Sequence, residues 1–136
     1  MTNKWITLIL LLSGFYTNSF ANSPENKIVG KWYNPHTYRL SGNLKGFQFK
    51  KNGNCKALGI ATLKLDRWEI KNDSLIITGY SITPEGKQEA YRSEEKICQL
   101  TSDSLGLVAT RAQIKFLYLS PKELKAKVTA PTKEKK

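Results

Sequence analysis

The sequence predicts an all-β domain that forms an up-and-down antiparallel barrel of about eight short strands. Apolar residues recur at every second position in short bursts, as at Phe47 and Phe49 or at Leu75 and Ile77. A period of two with one polar face is typical of antiparallel strands that cover one core. Turn residues separate the bursts, and no apolar pattern predicts a helix of any length. Closing the sheet would remove its edge strands, so we expect a barrel.

One domain is expected over residues 22–121, preceded by a segment that is removed during export. Residues 1–21 contain a single charge, Lys4, followed by the mostly apolar stretch Trp5–Tyr16. Ser19 and Ala21 place small residues at the two positions that a signal peptidase recognises. This pattern is typical of a secretory signal cleaved after about Ala21. The apolar stretch is too short to span a bilayer, which needs about 20 residues. We therefore expect an exported protein, periplasmic or extracellular, that is not a transmembrane protein.

The individual strands follow from the alternation and from the turns between them. Asn52-Gly53 is a strong hairpin signal, because a type I′ turn needs two residues that tolerate positive φ. The apolar phase slips by one residue after Leu65, which predicts a bulge before Trp68. Gly79 indicates a bend inside its strand. The predicted strands are Ile28–Tyr33, Gly46–Lys51, Asn54–Leu58, Leu65–Ile70, Ser74–Ser81, Lys87–Leu100, Leu105–Val108 and Ile114–Leu119.

The remaining segments are predicted to be irregular. Asn22–Asn26 is polar and is predicted to be a flexible segment before the first strand. Thr37–Asn43 is predicted to be a loop that could cover one end of the barrel. Glu94, Glu95 and Lys96 are expected to be solvated residues at an edge or rim of the sheet.

The charge is unevenly distributed along the chain. The net charge is +11, and residues 122–136 alone contribute +4. This segment has few large apolar residues, so we expect a basic disordered tail. A basic surface suggests anionic partners such as an envelope component, whereas the alternative is that the charge serves solubility alone. The lysines of the tail are Lys122, Lys125, Lys127, Lys133, Lys135 and Lys136.

The chain contains two cysteines, Cys55 and Cys98. In an oxidising compartment they could form a disulfide that closes a loop of about 40 residues and stabilises the fold by about 4 kcal/mol. The alternative is two separate small side chains on different strands, and two cysteines do not decide between these.

The residues that catalysis would need are not grouped in the sequence. His36 is the only histidine, and the cysteines lack the C-x-x-C spacing of a metal site. Glu94 and Glu95 are adjacent, so on a strand they point to opposite faces and cannot act as a carboxylate pair. No nucleophile elbow or phosphate-binding loop is present in the sequence. We therefore predict no catalytic residues, no metal and no cofactor.

Nucleic-acid binding is the alternative that a small basic barrel raises, because stacking aromatic residues could line its surface. Phe47, Phe49 and Trp68 fit the inward face instead, and export separates the protein from nucleic acid. We therefore expect no nucleic-acid partner, and a monomer.

Gly30-Lys31-Trp32 resembles the G-x-W that opens lipocalins, where the tryptophan closes one end of the barrel. Residues 30–119 resemble the small lipocalin-like domains of exported bacterial proteins. The resemblance implies a lipocalin-like barrel, a cavity for a small apolar molecule and no catalytic residues. The chain departs from true lipocalins because Thr101-Ser102-Asp103 stands where they have T-D-Y, and because we expect no helix after the barrel. The matching features are Gly46-Phe47, Asn52-Gly53, Ala61-Thr62-Leu63, Trp68-Glu69-Ile70, Asp73 to Gly79, and Ile97 to Leu105.

Two functions from different classes follow. The first is binding of a small hydrophobic ligand inside the barrel, by residues that otherwise form only the core. The second is an envelope interaction protein, whose filled barrel presents basic loops to a polymer or partner protein. An internal cavity above about 300 Å³ would favour the first. The predicted ligand-binding residues are Trp32, Phe47, Phe49, Leu65, Trp68 and Ile77.

Overall fold

The computed structural model describes residues 23–129, and over this range the chain forms eight strands in one sheet and three short helices. The predicted signal segment and the last seven residues lie outside the described range. The helices are α1 Pro24–Ile28, α2 Pro35–Ser41 and α3 Pro121–Thr129. The strands are β1 Gly30–Tyr33, β2 Gly46–Phe49, β3 Cys55–Leu58, β4 Leu63–Lys71, β5 Ser74–Ile82, β6 Gln88–Leu100, β7 Ser104–Ala109 and β8 Ile114–Leu119.

The sheet curls into a nearly closed antiparallel barrel, as the alternation predicts. Its order is β3-β2-β1-β8-β7-β6-β5-β4, so β1 joins the first hairpin to the last strand. β1 and β8 meet through the pair Tyr33 and Leu119. The outer strands of the order, β3 and β4, approach through a bridge between Asn54 and Arg67. The predicted fold class is confirmed.

The seam between β3 and β4 is closed mainly by Trp68. Its indole Nε1 donates a hydrogen bond to the carbonyl oxygen of Lys50 at 2.8 Å. Its backbone N–H donates to the carbonyl oxygen of Gly53 at 2.9 Å. Trp68 thus makes two of the hydrogen bonds that join the first hairpin to β4, and the neighbouring Arg67 donates a third, to the side-chain oxygen of Asn54 at 3.2 Å.

The two-residue turn with positive φ lies elsewhere than predicted. Asn72 and Asp73 connect β4 to β5 with φ of 51° and 64°, the values that a type I′ turn requires at both central residues. Between β2 and β3, in contrast, Gly53 has a φ of 89° but Asn52 is not in the positive-φ region. The hairpin prediction at Asn52-Gly53 is correct, but its turn type is wrong because the loop is longer than two residues.

The predicted slip in β4 is confirmed as a register shift between Leu65 and Arg67. Gly79 of β5 pairs with Leu65 beside this shift. A β-carbon at Gly79 would lie 2.2 Å from the carbonyl oxygen of Lys64. Glycine is therefore required here because the β4 backbone approaches β5 too closely for a side chain.

The prediction of no helices is wrong at three places, and proline lies in the first turn of each. A proline at the first helical position loses no hydrogen bond, since that N–H has no partner within the helix. In α2, which occupies most of the predicted loop, the Asn34 side chain accepts hydrogen bonds from the N–H groups of His36 and Thr37. Gly42 ends this helix with a φ of 72°.

The C-terminal segment is the main correction, because residues 121–129 form a helix where a disordered tail is expected. The Ser120 hydroxyl accepts a hydrogen bond from the Glu123 N–H at 3.2 Å, which caps the helix. Leu124 is 5% exposed and anchors the helix to the barrel. A helix does therefore follow the barrel, contrary to the prediction.

The buried side chains form one packed core, which we call the closed half of the barrel. Helix α1 packs against β4 and β6 and places Ile28, which is fully buried, across this end. The Trp32 indole Nε1 donates to the carbonyl oxygen of Ile28 at 2.7 Å, so the tryptophan of the G-x-W sequence helps to close this end. The buried side chains of the closed half are Ile28, Trp32, Phe49, Cys55, Trp68, Leu75, Ile77, Leu105 and Leu107.

Candidate ligand site in the barrel

The six residues predicted to bind a ligand fall into two groups. Four of them, Trp32, Phe49, Trp68 and Ile77, are buried and belong to the core of the closed half. The other two, Phe47 and Leu65, are partly exposed and pack against that core. Their role in binding a ligand stays a prediction, and the burial assigns a structural role to the first four.

A wider set of inward side chains is only partly buried, and we call it the half-exposed inner wall. Its members come from strands β2, β4, β6 and β8. They are Phe47, Leu65, Tyr91, Ser93, Glu95 and Tyr118.

Aromatic contacts connect this wall to the core. The ring centroids of Phe47 and Tyr118 lie 5.4 Å apart, and those of Phe47 and Phe49 lie 6.0 Å apart. Phe49 contacts Trp68 edge-on at 5.6 Å. The wall is thus continuous with the aromatic core through these ring contacts.

At the inward position of β5 between Leu65 and Tyr91, the wall has a glycine, and the backbone of β4 fills the space that a side chain would need. Gly79 of β5 pairs with Leu65 on one side and with Tyr91 on the other. The two larger side chains therefore flank a position that has no side chain.

Glu95 is the residue of the inner wall whose environment the sequence predicts incorrectly. It pairs with Leu75 of β5 and Ala109 of β7, so it shares the inward face of these residues. It is half-buried, and the prediction of a solvated rim residue is wrong. Burial raises the pKa of the Glu95 carboxyl group. The neighbouring Glu94 does face outward, where it forms an ion pair with Arg92 at 3.1 Å.

Tyr118 lies within electrostatic reach of both Glu95 and Tyr91. Burial raises the pKa of Tyr118 well above its ordinary value, and the negative charges of Glu95 and of an ionised Tyr91 raise it further. Within residues 23–129, the Glu95 side chain forms no hydrogen bond and no ion pair. The wall therefore contains a carboxyl group without a partner of opposite charge.

A cavity of about 460 Å³ opens beside Glu95. Strand β6 is longer than β7, and their pairing ends at Glu95 and Ala109, so Gln88–Glu94 have no strand partner on this side. The cavity follows this unpaired edge, because both inward and outward residues of β6 line it. Its lining residues are Ser74, Arg92, Ser93, Glu94, Glu95, Ala109, Thr110 and Arg111.

A second cavity, of about 320 Å³, is an apolar groove on the outside of the barrel. It lies between α2 and α3, and we call it the outer groove. Its lining residues are Tyr33, Tyr38, Leu44, Pro121, Leu124, Lys125 and Val128.

Both cysteines are free thiols, so the disulfide between Cys55 and Cys98 is not formed. Cys55 points into the core and is 2% exposed, whereas Cys98 lies exposed at a bulge of β6. Burial, with a smaller effect of the Asp66 charge, raises the pKa of Cys55 to about 11. The alternative of two separate small side chains is the one that the structure supports.

The other predicted residues and segments lie away from the barrel interior. His36 is exposed in the first turn of α2. Among residues 23–129, no histidine, cysteine and carboxylate side chains are grouped as metal ligands would be. Over the same range, no helix is both long and apolar enough to cross a bilayer.

The barrel with its plugged end and its half-exposed inner wall defines a lipocalin-like protein. The family model described as lipocalin-like matches residues 24–119, and the chain belongs to that family. A solved structure of a lipocalin-like protein from Bacteroides thetaiotaomicron VPI-5482 is similar, with a TM-score of 0.60 and 30% sequence identity. The match covers 68% of this chain and 95% of that chain. No curated protein matches the sequence.

Proposed function

We propose that this is an exported, non-catalytic binding protein that holds a small ligand with an apolar body against the half-exposed inner wall. The observation that carries the proposal is the incomplete burial of Phe47, Tyr91 and Tyr118, which face inward in a barrel whose other half is sealed. Aromatic rings left partly open above a packed floor suit a ligand that covers them. An eight-stranded barrel has room for one such ligand. Export rests on the predicted signal segment.

The direct test is a binding screen of the mature protein with fatty acids, retinoids and steroids. Binding is expected to quench the fluorescence of Trp68 or Trp32, which lie beneath the wall, and to raise the melting temperature. Native mass spectrometry of protein purified from its own host would report a retained ligand. Unchanged fluorescence and melting temperature with every compound, and no retained mass, would contradict the proposal.

Substitution of the wall identifies the site. Phe47→Ala removes a ring that contacts both Phe49 and Tyr118, so ligand affinity is expected to fall by about tenfold, the effect of losing one well-packed aromatic contact. Leu40→Ala is the matched control, since Leu40 is 75% exposed on α2 and outside the barrel. Titration calorimetry on both variants measures the difference. An equal loss in the two variants would show that the ligand binds elsewhere.

The outer groove is the observation that favours the second function, interaction with an envelope partner. Leu44 and Val128 are exposed there, beside the lysine-rich helix α3. The test is whether Val128→Glu, which places a charge in the groove, prevents co-purification of a partner from the envelope fraction. Unchanged recovery of every co-purified protein would exclude the groove as the interaction surface.

A further inference from the structure

We propose that the ligand carries a protonated amine, which pairs with the Glu95 carboxylate at the inner wall of the barrel. This inference rests on the proposed function, because it names the chemical class of the ligand for the same site.

The first argument is the position of Glu95 in the sheet. Its strand partners Leu75 and Ala109 face inward, and Leu75 is fully packed in the core. The carboxyl group therefore projects beside the floor of the barrel rather than into bulk water. The cavity of about 460 Å³ gives a small molecule a route to it.

The second argument is the missing counter-charge. An isolated carboxylate that loses water is costly unless a cation or hydrogen-bond donors replace the water. Arg92 and Lys96 lie at neighbouring positions on the opposite face of β6, and Arg92 pairs with Glu94. Arg111 lines the cavity but forms no ion pair with Glu95. The inner wall thus leaves a cation position open to a ligand.

The third argument is the surrounding chemistry. Tyr118 lies within electrostatic reach of Glu95 and provides an aromatic face that attracts an organic cation, and Phe47, which packs against Tyr118, can contact the apolar part of the ligand. The tyrosine hydroxyl oxygens can accept further hydrogen bonds from an ammonium group. Burial alone favours the neutral acid at Glu95, and a bound ammonium would restore the ionised form.

The test uses three octyl compounds that differ only in their head group: octylamine, octanol and octanoate. Calorimetry with the full mature chain is expected to give the highest affinity for octylamine, about tenfold above octanol, since a charge-assisted pair adds to the shared burial of the chain. Octanoate is expected to bind most weakly. The chain carries a strongly positive net charge, which disfavours a cation, so a preference for octylamine would indicate a local acidic contact.

Two isosteric variants assign the preference to a residue. Glu95→Gln is expected to lower octylamine affinity by about tenfold and to leave octanol affinity unchanged. Glu69→Gln is the matched control, because it removes the same charge from an exposed residue of β4 that does not line the cavity, and it is expected to change neither affinity. The comparison of octylamine with octanol needs only the wild-type protein. Equal affinity for the two compounds would overturn the role of Glu95 and would leave the proposed function standing. Failure of all three compounds, together with the negative screen above, would overturn both.

Discussion

The closed and open halves of this barrel are built from the same strands with the same alternation, yet they differ in burial. In the closed half Phe49 is almost completely buried, and only two residues earlier on β2 Phe47 is partly exposed. The difference arises at the ends. Helix α1 and two indole hydrogen bonds seal one end, whereas β6 extends past β7 at the other side and leaves an opening. Stability and binding are therefore assigned to different residues that pair with one another, as Phe47 does with the buried Trp32 and Tyr118 with the buried Leu105.

The sharpest way to test this separation is thiol reactivity, which reports opening of the closed half. Cys98 is expected to react with a maleimide at once in the folded protein. Cys55 is expected to react at least about a thousandfold more slowly, because its labelling requires an opening that costs a large part of the folding free energy. Its raised pKa, about 11, lowers its thiolate fraction further.

Mass spectrometry of the labelled protein at successive times, with Cys98→Ser as the control, measures the two rates. Rapid labelling of Cys55 in the Cys98→Ser protein would show that the closed half is not sealed.

The next largest effect is expected from removing the residue that closes the β3–β4 seam. Trp68→Ala should lower the free energy of unfolding by about 3–5 kcal/mol, as large-to-small changes in a core do. Trp68→Phe keeps most of the packing and loses the hydrogen bond to Lys50, so a loss of about 1 kcal/mol is expected beyond the change in volume. Urea denaturation measures both. A loss below about 1 kcal/mol for Trp68→Ala would mean that the seam does not depend on this side chain.

The smallest effect concerns Glu95 of the half-exposed inner wall and changes with pH. Because burial raises the pKa of Glu95 in the folded state, the folded protein holds this proton more tightly than the unfolded chain does. Wild-type stability should therefore fall relative to Glu95→Gln as the pH rises from below the unfolded pKa to above the folded pKa.

Unfolding experiments on both ligand-free proteins between about pH 4 and 7 measure this difference, since the ordinary pKa of Glu is about 4.3. If the free energy of unfolding of the wild type instead rose relative to Glu95→Gln with increasing pH, Glu95 would have a stabilising partner in the fold.

The sequence predicted the strands well because the alternation of apolar and polar residues shows locally which face of each strand is buried. The bulge after Leu65 was also visible as a slip in that period. The choice between Asn52-Gly53 and Asn72-Asp73 for the tight turn was not visible, because both pairs tolerate positive φ and the register of the flanking strands decides between them.

The helices and the site show where local patterns are insufficient. Ser120-Pro121-Lys122-Glu123 has the sequence of a capping box with proline at the first helical position, and this signal was available. The scarcity of large apolar residues favoured disorder instead, and the packing of Leu124 on the barrel depends on tertiary structure, which the sequence alone does not show. For Glu95, the alternation of Tyr91, Ser93 and Ile97 indicated an inward position, and its charge suggested the opposite.

The unpaired edge of β6 also affects how copies of this protein meet one another. A strand edge with free backbone groups can add a strand from a second molecule, which leads to aggregation. The free stretch Gln88–Glu94 carries Glu89, Arg92 and Glu94, and charged side chains on an edge oppose such pairing. The same residues that leave the barrel open at its side therefore protect that opening from self-association, and apolar replacements there would convert a route for a small molecule into a site of assembly.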